Sequence, residues 1–420
     1  MNKTKLTCLM TAAFAVSTQV YADQGSNTGP FAFEPIAESA NQLDWDPTAP
    51  WIIPEGFSQK IVSDETALNI YDEGRDDWHD MNTVNESGKM AGRYLYRTHE
   101  VRGEPEGGAV SVVDLKTGES KILAQDLTWN ALDGIRWTPW GTVLFAEETS
   151  GGRLFEIILD KHDPMKAAQV IDRPAVGRLA HEGIAVDSEG AVYVVDEFRG
   201  VSAGFGGGIY KFVPDTYGDL SSGNLYVLAV SGGEFNTGQG VWLGPIDPAD
   251  ARLSGTDFGG ASFQRPEDLE IIDNTLYVAV TEGPRDEEGV EYFEGRVLAI
   301  NLETMVVTNF IMPGENVPVE IGKPGEAGHQ SGWDSVDNLA TTPDGKLVII
   351  EDNKPSDIWI AGKDHDEDGQ ADGVWLFGSL TDPGAEGTGI YFGKDPKTLF
   401  VNVQHSAADD GDATWAISKD

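Results

Sequence analysis

Cysteine is almost absent from this chain of 420 residues, which contains one, Cys8, near its N-terminus. A disulfide framework and a thiolate-rich metal site are therefore excluded. Histidine is also scarce, with seven residues. No Ser-His-Asp arrangement and no glycine-rich phosphate loop can be recognised in the sequence. Carboxylates are thus the side chains best placed to carry chemistry.

Basic residues are few as well, since 29 Lys and Arg stand against 70 Asp and Glu and the formal net charge is -41. A surface of this sign repels nucleic acid and anionic membranes, so neither is an expected partner. We expect a small-molecule substrate and a monomer. The acidic surplus either keeps the chain soluble or binds divalent cations, and the positions of the acids distinguish the two roles.

Long hydrophobic runs are missing, because no stretch approaches the roughly 20 apolar residues of a transmembrane helix. At the N-terminus, Lys3 and Lys5 precede a mostly apolar run over residues 6–16, and Val20-Tyr21-Ala22 ends in a small residue. This pattern predicts a secretory signal peptide over residues 1–22. No Arg-Arg pair precedes the apolar run, which favours Sec-type export to the periplasm or the exterior.

A strand-turn-strand pattern recurs along the rest of the chain. One copy opens at Glu182-Gly183, turns at residues 188–190, and continues with an apolar run that ends at Asp196-Glu197. Clear copies open at Asp133, Glu182, Glu267 and Asp337, and looser copies open at Asp80 and Glu386. Further strand pairs lie between the copies, and two successive hairpins form the blade of a β-propeller.

Six such units predict an all-β, single-domain protein, a six-bladed β-propeller over residues 51–420. Residues 23–50 are expected to be an irregular lead-in. The stretch after Phe198 and residues 215–262 are expected to be long surface loops.

The acids have a fixed place in the clear copies. The opening acid and the residue that closes the second strand are 14 positions apart, as in Asp133 and Glu147 or Asp337 and Glu351. If the turn lies at the midpoint, these residues face each other at the open end of the hairpin. Like charges there repel, and a bound cation would remove the repulsion. We therefore predict a ring of carboxylates that binds calcium, magnesium, manganese or iron.

Three of the seven histidines, His99, His181 and His405, lie beside these hairpin ends. We treat His405 as a candidate metal ligand and His181 as a candidate catalytic residue, against the alternative that they are structural. Arg265 lies two residues before Glu267. It is the candidate clamp for an oxyanion near the metal.

A separate acidic segment reads Asp364-His365-Asp366-Glu367-Asp368-Gly369, with Asp372 after it. Acids at alternate positions before a glycine are typical of a calcium loop. Trp375 stands where an EF-hand has its closing glutamate. The pattern therefore predicts a structural calcium site without that ligand, held by Asp364, Asp366, Asp368 and Asp372.

Several motifs, in the same order, resemble those of the PhoX-type alkaline phosphatases. They are residues 138–142, Glu147-Glu148, Gly177-Arg178 with His181-Glu182, Arg265-Pro266-Glu267, Asp337-Asn338-Leu339 and residues 399–405. The resemblance implies a six-bladed propeller that hydrolyses phosphomonoesters with iron and calcium at one end of its channel. It implies metal ligands at Glu148, Glu182, Glu267 and Asp337 and a phosphate contact at Arg265. Asp133, Glu386 and His405 complete the candidate ligand set.

Three features depart from the family pattern. The iron-binding cysteine has no counterpart in residues 130–134, where Asp133 offers an oxygen; the twin-arginine signal is missing; and Gln404-His405 is followed by Ser406-Ala407. Ca²⁺ is therefore the expected cofactor, and Fe³⁺ would lack its thiolate ligand. A calcium-dependent lactonase or esterase, with Asn338 and Asn353 at the cation, stays open as an alternative, as does a non-catalytic calcium-binding propeller.

Overall fold

The computed structural model describes residues 29–68, 78–101, 107–204 and 206–420. The predicted signal peptide over residues 1–22 lies outside these ranges. Within them the chain is nearly all β-strand, with one short helix, α1 (Ala251–Asp257). No helix among the described residues is long and apolar enough to cross a membrane.

The strands succeed one another with short connections. In chain order they are β1 (Trp51–Ile52), β2 (Phe57–Asp64), β3 (Trp78–Val84), β4 (Tyr94–Glu100), β5 (Gly108–Asp114), β6 (Glu119–Asp126), β7 (Leu132–Trp137), β8 (Val143–Glu147), β9 (Leu154–Leu159), β10 (Ala167–Asp172), β11 (Ile184–Val186), β12 (Val192–Val195), β13 (Ile209–Thr216), β14 (Asp219–Gly232), β15 (Gly238–Ile246), β16 (Gln264–Ile272), β17 (Thr275–Glu282), β18 (Arg296–Asn301), β19 (Val306–Ile311), β20 (Val336–Thr341), β21 (Leu347–Glu351), β22 (Asp357–Ala361), β23 (Val374–Leu380), β24 (Glu386–Phe392), β25 (Thr398–Gln404) and β26 (Ala413–Lys419).

These strands form five antiparallel sheets in a propeller-like arrangement. Their orders are β3-β4-β5-β6, β10-β9-β8-β7, β11-β12-β13-β14-β15-β19-β18-β17-β16, β1-β23-β22-β21-β20 and β2-β26-β25-β24. The nine-stranded sheet is continuous because β15 pairs with β19 through Gly238 opposite Val307 and Gln239 opposite Val306. The predicted all-β class is confirmed.

The first strand of each hairpin unit lies innermost. Strands β3, β7, β11, β16, β20 and β24 contact one another in turn, and β24 contacts β3 again, so the circuit is closed. The apolar cores lie between neighbouring sheets, where residues such as Leu132, Phe145 and Ile350 are fully buried. N-terminal β2 pairs along its length with C-terminal β26, from Phe57 opposite Lys419 to Asp64 opposite Ala413. This pairing holds the two ends of the ring together.

Residues 215–262 are not a surface loop, so this expectation was wrong. They contain the long strands β14 and β15 and helix α1. Leu225, Val227 and Leu228 in β14 are buried, because β14 pairs with β13 on one side and β15 on the other. Glycine and serine around this run disfavour a strand in the sequence pattern, but pairing with the two neighbouring strands stabilises one here.

The described part of the lead-in, residues 29–50, contains no strand and one short 3-10 turn, Gln42–Asp44. It is nevertheless packed on the protein. Phe31 and Phe33 are buried, and both rings lie 5.1 Å from that of Phe377. The lead-in therefore contributes apolar side chains to the core beside β23.

Candidate metal centre

Four acids occupy the same position in four inner strands, where a β-bulge interrupts the pairing. At each bulge two residues oppose a single residue of the second strand, and the first of the two is an acid. These acids are Asp80 in β3, Asp133 in β7, Glu267 in β16 and Asp337 in β20. A bulge adds one residue and redirects the side chains on either side of it. The bulges therefore set the acids apart from the regular ladder.

The bulges also correct the predicted pairing of acids across the hairpins. Glu147 lies opposite Leu132 rather than Asp133, and Glu351 lies opposite Val336. The expectation that acids 14 positions apart face each other is wrong for these two hairpins.

The acids that close the second strands bind structural partners instead. Glu147 makes an ion pair of 2.6 Å with Arg153. Glu351 accepts a hydrogen bond of 2.9 Å from the indole nitrogen of Trp359. Asp196 of a third hairpin is paired with Arg252. The two acids of each of these hairpins therefore have separate roles.

Five of the predicted ligands converge in two overlapping triads. One oxygen each from Asp133, Glu148 and Glu182 lies within 4.8 Å of the other two, and the same holds for Glu182, Glu267 and Asp337. Glu182 belongs to both triads. Its side chain, like those of Asp133 and Glu267, is almost fully buried. Bringing five carboxylates together with so little solvent strongly favours either protonation or a bound cation.

The pKa values of these carboxyl groups are raised because burial and mutual repulsion both disfavour the charged form. Burial, together with the negative charges of Asp133, Glu148 and Glu267, raises the pKa of Glu182 well above its ordinary value. Burial raises the pKa values of Glu267 and Asp337 in the same direction. The buried Oε2 of Glu182 has no hydrogen-bond partner among the described residues. An all-oxygen donor set with such an atom fits a hard cation such as Ca²⁺, and the cluster holds no thiolate.

Asp80 is a sixth acid of this cluster, which the sequence analysis did not include among the candidate ligands. Asp80 is buried, and burial raises the pKa of its carboxyl group well above the ordinary value. The negative charges of Asp133, Glu100 and Asp337 raise this pKa further. Its backbone carbonyl accepts hydrogen bonds from Thr388 and Asn402, the latter very short. The signal was present, because Asp80 opens one of the two looser copies.

Arg265 lies beside the second triad. Its Nε is 2.5 Å from a carboxylate oxygen of Glu197, and its Nη2 is 3.2 Å from an oxygen of Glu267. The backbone of Arg265 is in the left-handed region, with a φ of 50°, which costs energy for a residue with a side chain and is typical of functional positions. The guanidinium is thus held at the edge of the carboxylate cluster by two acids.

A second group, formed by Asp352, Glu386 and His405, adjoins the cluster. Nε2 of His405 is 3.3 Å from Glu386, and the ring of Trp78 packs on the imidazole at 4.1 Å. Burial and the hydrogen bond to Glu386 raise the pKa of Asp352 to about 8. The negative charges of Asp352 and Glu386 also act on Asp337. The two predicted ligands Glu386 and His405 therefore lie beside the two triads rather than within them.

His181 and His99 are fully buried. Nε2 of His181 is 3.2 Å from the carbonyl oxygen of Gly177, and burial lowers the pKa of its ring to about 4. Nε2 of His99 is 2.7 Å from the hydroxyl of Ser111. A catalytic role for His181 stays a prediction.

Asn338 serves as a connector between sheets. It accepts a hydrogen bond of 2.6 Å from the backbone nitrogen of Gly389 in β24 and donates one to Asp337. Asn353 donates to the carbonyl oxygen of Asp334. Asn338 therefore contacts an acid of the second triad. The lactonase alternative, with Asn338 and Asn353 at the cation, stays a prediction.

The acidic loop brings together three of its four predicted ligands. One oxygen each of Asp364, Asp366 and Asp368 lies within 4.8 Å of the others. Asp364 accepts hydrogen bonds from the backbone nitrogens of Asp368 and Gly369. Asp372 instead contacts Nδ1 of His365 at 2.5 Å. Calcium binding by this loop stays a prediction.

Gly134, the second residue of the bulge in β7, permits the close approach of the segment that carries Glu182. A Cβ atom at Gly134 would lie 1.8 Å from the carbonyl oxygen of Glu182. We expect Gly134→Ala to displace Glu182 and to lower the free energy of unfolding by about 3 kcal/mol, because the clash is with backbone. Thermal unfolding measures this loss.

Gly378→Ala in β23 is the matched control. Its Cβ would find its nearest neighbour at 3.4 Å, an ordinary contact, so we expect a change of less than about 1 kcal/mol. Equal unfolding temperatures for the two variants would contradict the role given to Gly134.

One known structure, the first of three similar ones, supports the propeller-like arrangement. The structure of Pseudomonas fluorescens PhoX in complex with vanadate, described as a transition state analogue, matches with a TM-score of 0.68 and 18% identity, over 93% of this chain and 98% of that chain. A putative gluconolactonase matches with a TM-score of 0.48 and 10% identity, over 88% and 94% of the two chains. A putative 6-phosphogluconolactonase from Bacteroides uniformis matches with a TM-score of 0.41 and 16% identity, over 74% and 77%.

The last two likenesses are too weak to support any argument about this chain. Comparison with curated protein sequences found no significant match. A family model described as alkaline phosphatase PhoX matches residues 151–407. Since this match spans more than half of the chain, the protein belongs to the PhoX alkaline phosphatase family, a family of phosphatase-type hydrolases.

Proposed function

We propose that this chain is an exported, metal-dependent phosphomonoesterase whose catalytic cations bind the two carboxylate triads. The observation that carries the proposal is the convergence of five buried or partly buried acids around Glu182 with Arg265 at their edge. The ligands would be Asp133, Glu148, Glu182, Glu267 and Asp337, with Asp80 as a sixth. Glu386 and His405 would complete the coordination of a cation next to Asp337.

Calcium is the cation that this donor set fits best, because every candidate donor in the triads is a carboxylate oxygen. Fe³⁺ is the second candidate, although Asp133 stands in the stretch where the family has a cysteine. When bound, the cations would neutralise the carboxylates and attract the oxygens of a phosphate group.

Arg265 supplies the second recognition element of the proposed site. Its guanidinium is kept in place by Glu197 at 2.5 Å, and a guanidinium matches two oxygens of a phosphate group in a bidentate contact. In the proposed reaction it would orient the phosphoester and stabilise the charge that develops on the equatorial oxygens.

Three further expectations belong to the same proposal. The closed circuit of β3, β7, β11, β16, β20 and β24 supports six blades, with the nine-stranded sheet counted as two blades joined by β15. We propose a Sec-type signal peptide, a periplasmic or extracellular location and a monomer. We also propose calcium binding by the loop with Asp364, Asp366, Asp368 and Asp372.

Phosphomonoesterase activity tests the function directly. We expect mature protein stripped with a chelator to be inactive and to regain turnover of an aryl phosphate when calcium, or calcium with iron, is returned. A carboxylic ester and a lactone are assayed in parallel. Turnover of the ester or lactone alone, or metal binding with no turnover of any substrate, would overturn the proposal.

Arg265→Lys tests the phosphate contact. We expect kcat/KM for the aryl phosphate to fall about 100-fold, because lysine keeps the charge but loses the bidentate geometry. Steady-state kinetics at saturating calcium measure this change.

The matched control for this substitution is Arg285→Lys. Arg285 pairs with Glu282 at 2.5 Å and lies outside the two triads, so its replacement should leave kcat/KM within about twofold of the unmodified protein. An unchanged kcat/KM in Arg265→Lys would remove Arg265 from the proposed site.

A further inference from the structure

A groove of about 500 Å³ lies between the first sheet, β3–β6, and the last sheet, β2 with β24–β26. Lys60 from β2, Lys116 from the β5-β6 turn and Lys394 from the β24-β25 turn line it. All three lysines are exposed. Ile61, which is 45% exposed, and the half-buried Leu115 contribute apolar surface to the same groove. Three separate parts of the chain thus bring ammonium groups to one place.

The groove is distant from the carboxylate cluster. Strand β24 runs from Glu386, beside the cluster, to Phe392, next to the turn that carries Lys394. Seven residues of β-strand span roughly 20 Å, at about 3.3 Å per residue. The groove and the cluster therefore lie at opposite ends of the inner strands.

The three lysines differ from the arginines of this acidic protein, most of which form ion pairs. Arginines such as Arg93, Arg136 and Arg173 form ion pairs with acids at 2.5 to 2.7 Å. Among the described residues, none of the three groove lysines forms such a pair. Most other described lysines also lack an acid partner, so the distinguishing feature of these three is that they meet in one groove of a chain whose net charge is -41.

One acid, Asp395, also lines the groove. Its carboxylate is engaged within its own turn, where it accepts hydrogen bonds from the backbone nitrogen of Lys397 at 3.1 Å and from the hydroxyl of Thr398 at 3.2 Å. The groove therefore keeps a net positive charge. The groove beside the acidic loop has the opposite charge, since Asp364, Glu367 and Asp368 line it.

Lys394 is held in position by close packing. A Cβ atom at Gly92 would lie 2.0 Å from the Cβ of Lys394, so the stem of the lysine lies directly on the backbone of the first sheet. This contact fixes the base of the side chain while the ammonium group stays exposed. One lysine of the groove is thus placed before any ligand arrives.

We propose that this groove binds a flexible polymer that carries several oxyanions, such as sulfate or phosphate esters spaced along a glycan. Three ammonium groups on separate segments of the chain match a ligand with several negative charges better than a ligand with one. The apolar surface of Ile61 and Leu115 suits the uncharged polymer backbone between the charges. A stiff duplex would bring many phosphates near the acidic remainder of the surface, whereas a single flexible chain enters the groove alone.

Screening makes such a local site compatible with the overall charge. At 0.1 M ionic strength the Debye length is about 10 Å. The carboxylate cluster lies about twice as far away, at roughly 20 Å along β24. An approaching oxyanion at that ionic strength is therefore affected mainly by the lysines of the groove.

Binding to dextran sulfate at 0.1 M ionic strength tests the proposal, with neutral dextran as the reference polymer. We expect the full mature protein to bind dextran sulfate, and the triple variant Lys60→Gln, Lys116→Gln, Lys394→Gln to bind about 100- to 200-fold more weakly, the factor that about 1 kcal/mol per lysine gives. The control variant removes three exposed lysines elsewhere, Lys161, Lys166 and Lys323, by the same substitution.

Unchanged affinity in the triple variant, or an equal loss in the control, would overturn the assignment to this groove. Absence of binding by the unmodified protein would do the same. A phosphorylated dextran of equal charge density is measured with the Glu182→Gln variant, so that hydrolysis does not consume it. Tighter binding of one of the two polymers identifies whether the groove prefers sulfate or phosphate esters. None of these results depends on phosphatase activity.

Discussion

Replacing Glu182 with glutamine is expected to stabilise the metal-free protein while removing most of its stabilisation by metal. Glu182 is the acid that belongs to both triads. Its charged form is disfavoured by burial and by three neighbouring carboxylates. Glutamine keeps the shape and removes one charge, so the repulsion between buried acids decreases.

The same substitution removes a ligand from both triads. We expect metal affinity to fall by at least about 100-fold, since loss of groups that merely orient metal ligands already costs 10- to 100-fold. Phosphatase activity should fall by a similar or larger factor. Thermal unfolding with and without calcium separates the two effects: the unfolding temperature rises in chelator, and the further rise on adding calcium shrinks to the part that the separate acidic loop supplies.

Glu270→Gln is the matched control for this experiment. Glu270 is a buried acid of β16 that pairs with Arg136 at 2.7 Å, so its loss leaves an unpaired buried cation. We expect a lower unfolding temperature in chelator and a retained response to calcium. A Glu182→Gln protein that is destabilised in chelator, or that responds to calcium like the unmodified protein, would contradict the proposed metal site.

The chelated protein is expected to lose stability as the pH rises, which is the second large effect. Burial raises the pKa of Asp268 to about 7, and burial with the hydrogen bond to Glu386 raises that of Asp352 to about 8. Burial and neighbouring acids also raise the pKa values of Asp80, Glu182 and Asp337 well above their ordinary values.

The direction follows from proton linkage. An acid whose pKa is higher in the folded protein holds its proton more tightly there than in the unfolded chain. Its stabilising contribution is complete below the unfolded pKa, near 4, and is lost as the pH rises through the folded pKa. Glu386 acts in the opposite sense. Burial raises its pKa, but hydrogen bonds to His405 and Asp352 outweigh burial and lower the pKa to about 2. Its contribution to stability is therefore lost only as the pH falls below about 4.5.

We therefore expect the unfolding temperature in chelator to fall on the order of 10 °C between pH 5 and pH 9. Calcium should reverse the trend, because cation binding requires deprotonated ligands and releases protons. Differential scanning calorimetry at pH 5, 7 and 9, with chelator and with calcium, measures both curves. A chelated protein that is most stable at pH 9 would show that the acids are not coupled as described.

The repeat explains how much of this protein could be predicted from sequence. Alternating apolar runs with turn residues specify hairpins locally, so the all-β class and the positions of Asp133, Glu182, Glu267 and Asp337 at the hairpin ends could be predicted. The scarcity of cysteine and histidine confined the chemistry to oxygen ligands. These features depend on residue type and spacing alone.

Tertiary structure decided what spacing could not. The bulges shift the register, so that Asp133 and Asp337 oppose no acid and Glu147 and Glu351 turn to structural partners. A bulge depends on the pairing of two strands and on the contact of Gly134 with the next sheet, which a local pattern does not encode.

The same reason applies to the residues that join the site from distant parts of the chain. Asp80 reaches the cluster because the inner strands close into a circuit, and Arg265 is placed by Glu197 from another hairpin. Local sequence thus determined the strands and the kinds of ligand. The closing of the ring determined which acids meet, because burial and repulsion between charges arise only when sheets far apart in sequence come together.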